Sequence, residues 1–193
     1  MPTSPSTTSP LQTRSNSDLK QWFVLRDLKR ANAKRFNWQE LRDCGFEAFT
    51  PMHQVILHQG GKRIRKEVPV ISDLLFVYSS KSVLDPIIEK TPTLQYRYLK
   101  KQYMKPMTVG DAEMRRFLRA TEDIEKVRFY TPEEFSLSMI GRPARVVGGP
   151  LNGYEGKILS IRGSKVKRLL VELPGLISAD VEINPKFIEM LDK

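Results

Sequence analysis

Residues 145–158 are Arg145-Val146-Val147-Gly148-Gly149-Pro150-Leu151-Asn152-Gly153-Tyr154-Glu155-Gly156-Lys157-Ile158. The stretch begins as a short apolar strand, breaks into a turn that holds four glycines and a proline, and resumes as a second strand. Glycine reaches positive φ at little cost and proline fixes φ, so this spacing predicts a tight loop that joins two strands. We expect the backbone there to be packed too closely for side chains at the glycines.

This strand-loop-strand pattern resembles a KOW motif, the signature of small β-barrels in transcription elongation factors and some ribosomal proteins. The residues that carry the resemblance are Val146, Gly149, Pro150, Gly153 and Gly156. An ordinary glycine-rich hairpin is the alternative. The resemblance implies a protein that binds a nucleic-acid machine, but it does not say which machine.

Composition limits the partners and the kinds of site that this chain can have. The chain has 193 residues, of which 40% are hydrophobic, and carries a net charge of +10, which favours a polyanionic partner. A single cysteine, Cys44, excludes an intramolecular disulfide and a cysteine-based metal site, and we expect no cofactor. The chain has no apolar run long enough for a membrane span and no secretory signal, which predicts a cytoplasmic protein that does not contact a membrane.

The order of predicted elements divides the chain into four parts. Residues 1–18 are rich in Ser, Thr and Pro, which predicts a disordered tail. Residues 19–131 predict strands alternating with helices, an α+β sandwich with helices on a mostly antiparallel sheet. A polar linker over 132–138 leads into 139–193, where five short strands predict a small closed β-barrel, because closure removes exposed sheet edges.

Three element boundaries are predicted from local signals. A helix is expected from Asn32 to Cys44, ended by Gly45. The apolar run 69–78 predicts one buried strand. A helix over 82–90 should hold Pro86 in its first turn, since proline is tolerated there.

A basic hairpin is predicted around Gly60-Gly61, between two segments of β-forming residues. Its candidate nucleic-acid contacts are His53, His58, Lys62, Arg63, Arg65 and Lys66. Such charges can reach phosphates, but exposed hairpins are often charged simply to remain soluble. The sequence leaves both interpretations open.

An ordered set of segments resembles the N-terminal domain of the NusG family, followed by a KOW module, over about residues 20–193. The segments are Trp22-Phe23-Val24-Leu25, Gly45 to Pro51, Pro69 to Val77, Lys105 to Val109 leading into Asp111-Ala112-Glu113-Met114, Leu173-Pro174-Gly175-Leu176 and Phe187-Ile188-Glu189. The pattern is most similar to specialised paralogues of the UpxY type, which resemble RfaH in role.

The resemblance implies a fold and a set of contacts. The N-terminal domain would bind RNA polymerase through Arg26, Ile71, Leu74, Tyr96 and Tyr98, with the hairpin across the cleft near non-template DNA or nascent RNA. The KOW module would recruit a second partner, the ribosome or a termination factor. Where many members have Pro-Gly followed by an aromatic residue, this chain has Ser72-Asp73-Leu74. Core packing is the alternative role for the apolar residues of this set.

The leading hypothesis is a monomeric, non-enzymatic transcription elongation and antitermination factor that acts on specific operons, such as those for surface polysaccharide. The alternative is a ribosome-associated or RNA-binding KOW protein. An enzyme is not expected, because the sequence has no phosphate-binding loop, nucleophile motif or acid-base constellation around its two histidines.

Overall fold

The structure is a computed structural model. It describes residues 18–30, 32–100, 102–122, 127–133, 140–149, 151–159 and 166–191. Most of the predicted tail (residues 1–17), most of the predicted linker (134–138) and Pro150 of the glycine-rich stretch lie outside the described residues.

The described part of the first 133 residues folds as a mixture of strands and helices, as predicted. Its elements are β1 (Gln21–Asp27), α1 (Asn37–Asp43), β2 (Glu47–Phe49), β3 (Met52–Gln59), β4 (Lys62–Pro69), β5 (Leu74–Ser79), α2 (Lys81–Lys90), β6 (Leu94–Tyr96), β7 (Thr108–Val109), α3 (Asp111–Ala120) and β8 (Val127–Tyr130). Five further strands follow: β9 (Ile140–Val146), β10 (Glu155–Leu159), β11 (Lys167–Leu173), β12 (Ile177–Ile183) and β13 (Ile188–Met190).

The first sheet is antiparallel, in the order β2-β5-β1-β6, with β7 also paired to β1. Its central strands are buried on both faces, which explains their unbroken apolar runs. Trp22 and Val24 point into one core cluster, together with Leu74 and Phe76 of β5. The alternate residues, such as Phe23, point into a second cluster, which also contains apolar residues of α1 and α2.

Helix α1 is shorter than predicted and begins at Asn37 instead of Asn32. The buried carboxylate of Asp27 accepts hydrogen bonds from the backbone N–H of Asn37 at 2.8 Å and from its side-chain Nδ2 at 2.9 Å. This carboxylate satisfies an N–H that has no partner within the helix, and so fixes where α1 begins. Gly45 follows the helix with φ of +85°, which confirms its predicted role.

Two other boundaries were predicted wrongly. The run 69–78 is not one strand, because Pro69 ends β4 and residues 70–73 turn before β5 begins at Leu74. The turn is closed by the Leu74 N–H, which donates to the Ile71 carbonyl at 3.1 Å. Pro86 is the sixth residue of α2 and lies beyond its first turn, since the helix begins at Lys81.

The second sheet has six antiparallel strands in the order β13-β9-β10-β11-β12-β8. Strand β8 lies before the predicted linker, yet it pairs with β12, from Val127 opposite Val181 to Tyr130 opposite Ser178. The five predicted C-terminal strands are present, but a closed barrel is not confirmed in the described residues. Among the described residues the second edge of β12 is taken by β8, so the sheet is extended there and not closed into a ring.

The glycine-rich stretch forms the tight loop that its sequence predicts. Gly148, Gly149 and Gly153 have φ of +102°, +69° and +79°. The ring of Phe187 lies over the first two, so that a Cβ on Gly148 would meet it at 3.0 Å. At Gly156 a Cβ would lie 2.7 Å from the backbone oxygen of Leu170, which confirms the predicted close packing.

We expect Gly156→Ala to lower the free energy of unfolding by roughly 3 kcal/mol, at the upper end for overpacking, because the obstructing atom is backbone and cannot rotate away. Gly153→Ala is the matched control. Its Cβ would meet nothing within 4 Å, so it should cost only the left-handed backbone strain of about 1 kcal/mol. Urea unfolding of both variants measures the difference, and equal losses would contradict the close approach.

One core cluster joins the two halves of the described chain. It contains Trp22 and Phe76 of the first sheet, Phe117 of α3, and Leu169 and Ala179 of the second sheet. Helix α3 packs against both β1 and β11. The domain boundary at residue 131 stays a prediction, but the two halves bury apolar surface against each other.

Candidate functional site

A polar cluster lies at one end of strands β1, β5 and β6 of the first sheet, where a polymerase contact was predicted. Arg26 is opposite Leu74 in the β1–β5 register. The Arg26 Nε donates to Asp73 Oδ2 at 2.9 Å, and the Arg97 Nη2 donates to Asp73 Oδ1 at 2.9 Å. Asp73, which departs from the family pattern, therefore fixes two guanidinium groups at this end of the strands.

The five predicted polymerase-binding residues do not form one surface. Leu74 is buried in the core cluster shared by both halves, and Ile71 packs against that cluster. Tyr96 is buried in the other cluster, on the opposite face of the sheet, and Tyr98 lies beside it with a ring separation of 6.2 Å. Of the five, only Arg26 and Tyr98 are well exposed. The assigned role of all five stays a prediction.

The Tyr96 hydroxyl has a structural partner. It donates to Asp85 Oδ1 of α2 at 3.0 Å. Burial, together with this hydrogen bond and the charge of Asp85, raises the pKa of Tyr96 well above its usual value. The hydroxyl is therefore neutral at physiological pH and ties β6 to α2.

Strands β3 and β4 form the predicted hairpin, from Met52 opposite Pro69 to Gln59 opposite Lys62. Neither strand pairs with either of the larger sheets among the described residues. Residues directly opposite each other share a face. One face therefore presents His58, Arg63 and Arg65, and the other presents His53, Lys62 and Lys66 with the apolar side chains of Leu57 and Ile64.

Sequence reasoning missed a groove between this hairpin and β8. The groove has a volume of about 590 Å³ and is lined by His53, Gln54, Ile56, Arg65, Val127, Arg128 and Phe129. Arg128 was not a candidate, because a single arginine in a short strand gives no signal until the pairing of β8 is known.

A second, more aromatic cleft of about 520 Å³ shares Phe129 with this groove. It is lined by Trp38, Arg42, Phe49, Thr50, Met52, Glu67, Leu118, Arg119, Thr121, Glu122 and Phe129. The guanidinium of Arg42 lies over the Trp38 ring, 5.1 Å from its centre. The indole N–H of Trp38 and the hydroxyl of Thr50 are buried without a hydrogen-bond partner among the described residues.

A buried ion pair joins β11 to β12, and Tyr130 of β8 bonds to the same carboxylate. The Arg168 Nε donates to Asp180 Oδ1 at 2.6 Å, and the Tyr130 hydroxyl donates to Asp180 Oδ2 at 2.8 Å. Asp180 has no exposed surface and Arg168 is 6% exposed. Burial, followed by the hydrogen bond to Asp180, raises the pKa of Tyr130.

Within the residues that the structure describes, no group of three or more His, Cys, Asp or Glu side chains could hold a metal ion. No helix in the same part of the chain is long and apolar enough to cross a membrane.

Comparisons with known proteins identify one family. The family model described as transcription termination factor NusG matches residues 20–118. No curated protein matches the chain. Among solved structures, one titled "Domain interaction in Thermotoga maritima NusG" is similar over 90% of this chain and 98% of that one, at 16% sequence identity and a TM-score of 0.43.

Proposed function

The chain belongs to the NusG family of transcription factors, and on that premise we propose that it is an elongation and antitermination factor that binds RNA polymerase through its N-terminal half. The observation that carries the proposal is the extent of the family match. Residues 20–118 include all of the first sheet, the whole hairpin and most of α3.

The proposed action is to hold the polymerase in its processive state. An apolar contact with a polar rim suits a lasting protein interface. The exposed side chain of Arg26 and the exposed ring of Tyr98 supply accessible anchors on the two faces of the first sheet. The hairpin extends a positive field toward nucleic acid, which would steer association.

The finer proposal is a specialised factor of the UpxY or RfaH type. Such a factor acts on particular operons, for example those for surface polysaccharide, from the cytoplasm and as a monomer. The glycine-rich loop and the strands around it would act as a KOW module that recruits the ribosome or a termination factor. The proposal assigns no catalytic step and no cofactor to the chain.

Polymerase binding is tested with the full chain immobilised and core RNA polymerase from the source organism in solution. A fragment that ends at residue 130 is unsuitable, because β8 pairs with β12 and the two halves share a core. We expect Arg26→Ala or Tyr98→Ala to weaken retention at least fivefold, as removal of an interface anchor does. Both side chains are exposed, so neither change should disturb folding.

Lys90→Ala is the matched control for this experiment, because Lys90 is exposed at the end of α2 and makes no ion pair in the described residues. Loss with one variant alone would show which side of the sheet is the polymerase face. If the unmodified chain retained no polymerase but bound ribosomes, the ribosome-associated alternative would replace the proposal.

A further inference from the structure

The groove between the hairpin and β8 runs along the edges of two strands. Its lining includes Val127, Arg128 and Phe129, which are consecutive residues of β8. It also includes the consecutive residues His53 and Gln54 of β3. Successive side chains of a strand point to opposite faces of a sheet. A groove that consecutive residues line therefore follows the edge of each strand and not one face.

Both of these edges are open among the described residues. Strand β8 is the last strand of the second sheet and pairs only with β12, while β3 pairs only with β4. No backbone hydrogen bond joins β3 to β8 in the same part of the chain. An open edge is a template at which a further strand can pair through backbone N–H and C=O groups. The groove is therefore bounded on each side by a strand edge of this kind.

The side chains of the groove favour an acidic partner. None of the residues that line it is acidic. Arg65 and Arg128 make no ion pair or side-chain hydrogen bond within the described part of the chain. Asp180 is opposite Arg128 in the register, but its two carboxylate oxygens already accept from Arg168 and Tyr130. Both guanidiniums of the groove are thus suited to carboxylates, to which arginine donates two parallel hydrogen bonds.

The two faces of β8 differ in character. Val127 and Phe129 share one face, where Val127 is 9% exposed and Phe129 packs against the core cluster shared by both halves. Arg128 points to the other face and is exposed. A strand paired beside β8 would place its side chains on the same two faces. Apolar side chains would suit the face of Phe129, and carboxylates would suit the face of Arg128.

We propose that the groove takes up an extended acidic peptide of a partner protein, inserted as a strand between β8 and β3, with carboxylates and apolar side chains in alternation. In this mode of recognition main-chain hydrogen bonds give affinity and pockets for alternate side chains give specificity. The inserted strand joins the second sheet to the hairpin by continuous backbone pairing. The site goes beyond the proposed function, because it requires neither polymerase nor nucleic acid.

An extended peptide matches the two strand edges better than a nucleic-acid strand does. Each edge offers carbonyl acceptors as well as N–H donors. A peptide supplies a donor and an acceptor at every residue, whereas a phosphate backbone has no donor for the carbonyls. A volume of about 590 Å³ is that of a site for a short segment. A second copy of this chain is a poorer occupant, because two molecules with a net charge of +10 repel each other.

The test is a fluorescence-anisotropy titration of the full chain into the hexapeptide Glu-Val-Glu-Val-Glu-Val, labelled at its amino end and amidated at its carboxyl end. We expect Arg128→Gln to weaken binding about tenfold, the usual effect of losing a charge-assisted hydrogen bond. Lys90→Gln removes the same charge from an exposed position of α2 and should bind like the unmodified chain. A peptide with Lys in place of every Glu should not bind.

Methylation of the peptide nitrogens distinguishes insertion from pairing with a single edge. Alternate residues of a strand direct their N–H groups to opposite sides. A peptide methylated at every Glu nitrogen, and another methylated at every Val nitrogen, therefore each lose pairing on one side only. Both patterns should weaken binding at least fivefold, since each removes several backbone hydrogen bonds. The unmodified peptide should slow hydrogen exchange at amides of both β3 and β8.

Four other results would each overturn the proposal. Equal affinity of Arg128→Gln and Lys90→Gln would exclude the carboxylate contact. Weakening by only one methylation pattern would mean pairing with one edge, and weakening by neither would mean attraction by charge alone. A chain that binds a single-stranded 12-mer of deoxythymidine but not the peptide would have a nucleic-acid surface here. Polymerase retention is measured separately, so failure of the proposed function and failure of this site are distinguishable.

Discussion

Asp180→Ala should lower the free energy of unfolding by about 3–5 kcal/mol, the usual cost of removing one partner from a buried ion pair. The change leaves the guanidinium of Arg168, which is 6% exposed, without its nearest carboxylate. Glu182 is 3.8 Å from Arg168 Nη1, too far for a hydrogen bond that would replace the lost one. The Tyr130 hydroxyl loses its acceptor in the same step. Chemical denaturation followed by circular dichroism measures the change.

Two control variants show how much of the lost stability comes from burial of the ion pair and how much from loss of a hydrogen bond or of an exposed ion pair. Tyr130→Phe keeps the ring and the Arg168–Asp180 pair but removes the hydroxyl that donates to Asp180, and should cost about 1 kcal/mol. Glu155→Ala breaks the exposed pair with Arg145, which should cost between 0 and about 1 kcal/mol. A loss for Asp180→Ala no larger than that for Glu155→Ala would contradict the buried pair. A large loss for Asp180→Ala would show that the buried pair between β11 and β12 is part of the folded state.

Local sequence patterns predicted most elements, because their causes lie within a few residues. The apolar run Trp22 to Leu25 has to be buried on both faces of a sheet, and Gly45 ends a helix by reaching positive φ. The loop at Gly148 to Gly156 follows from the same property of glycine. These predictions needed no knowledge of the tertiary structure.

The predictions that failed depend on contacts between distant segments. The start of α1 is fixed by Asp27, ten residues before the helix. Strand β8 pairs with β12 about fifty residues later, and no periodicity in a four-residue segment identifies that partner. The closed barrel was predicted from strand number alone, whereas the position of β8 at the edge of β12 depends on long-range packing.

In the candidate sites, too, local sequence signals predicted some features, while others depend on contacts between distant segments. The hairpin and its basic residues were predicted, because Gly60-Gly61 and the charges are local signals. The face to which each charge belongs required the register, which separates Arg63 and Arg65 from Lys62 and Lys66. The resemblance assigns Leu74 and Tyr96 to one surface, but they lie in different cores, because they are opposite Arg26 and Leu25, consecutive residues of β1 that point to opposite faces of the sheet.

Phe117→Ala is expected to cost about 3–5 kcal/mol, as large truncations of buried aromatic residues do. Phe117 is 1% exposed in the cluster shared by both halves. Its ring lies 6.3 Å from that of Phe49 in β2 and 6.4 Å from that of Phe129 in β8. The side chain thus supports Phe129 from α3, at the point where the groove between the hairpin and β8 meets the more aromatic cleft.

Phe23→Ala is the control for this variant, since Phe23 is equally buried but belongs to the other cluster. Its loss of stability should be similar. Chemical denaturation followed by circular dichroism measures both changes. A loss for Phe117→Ala far below that for Phe23→Ala would contradict the burial of Phe117 in the cluster shared by both halves.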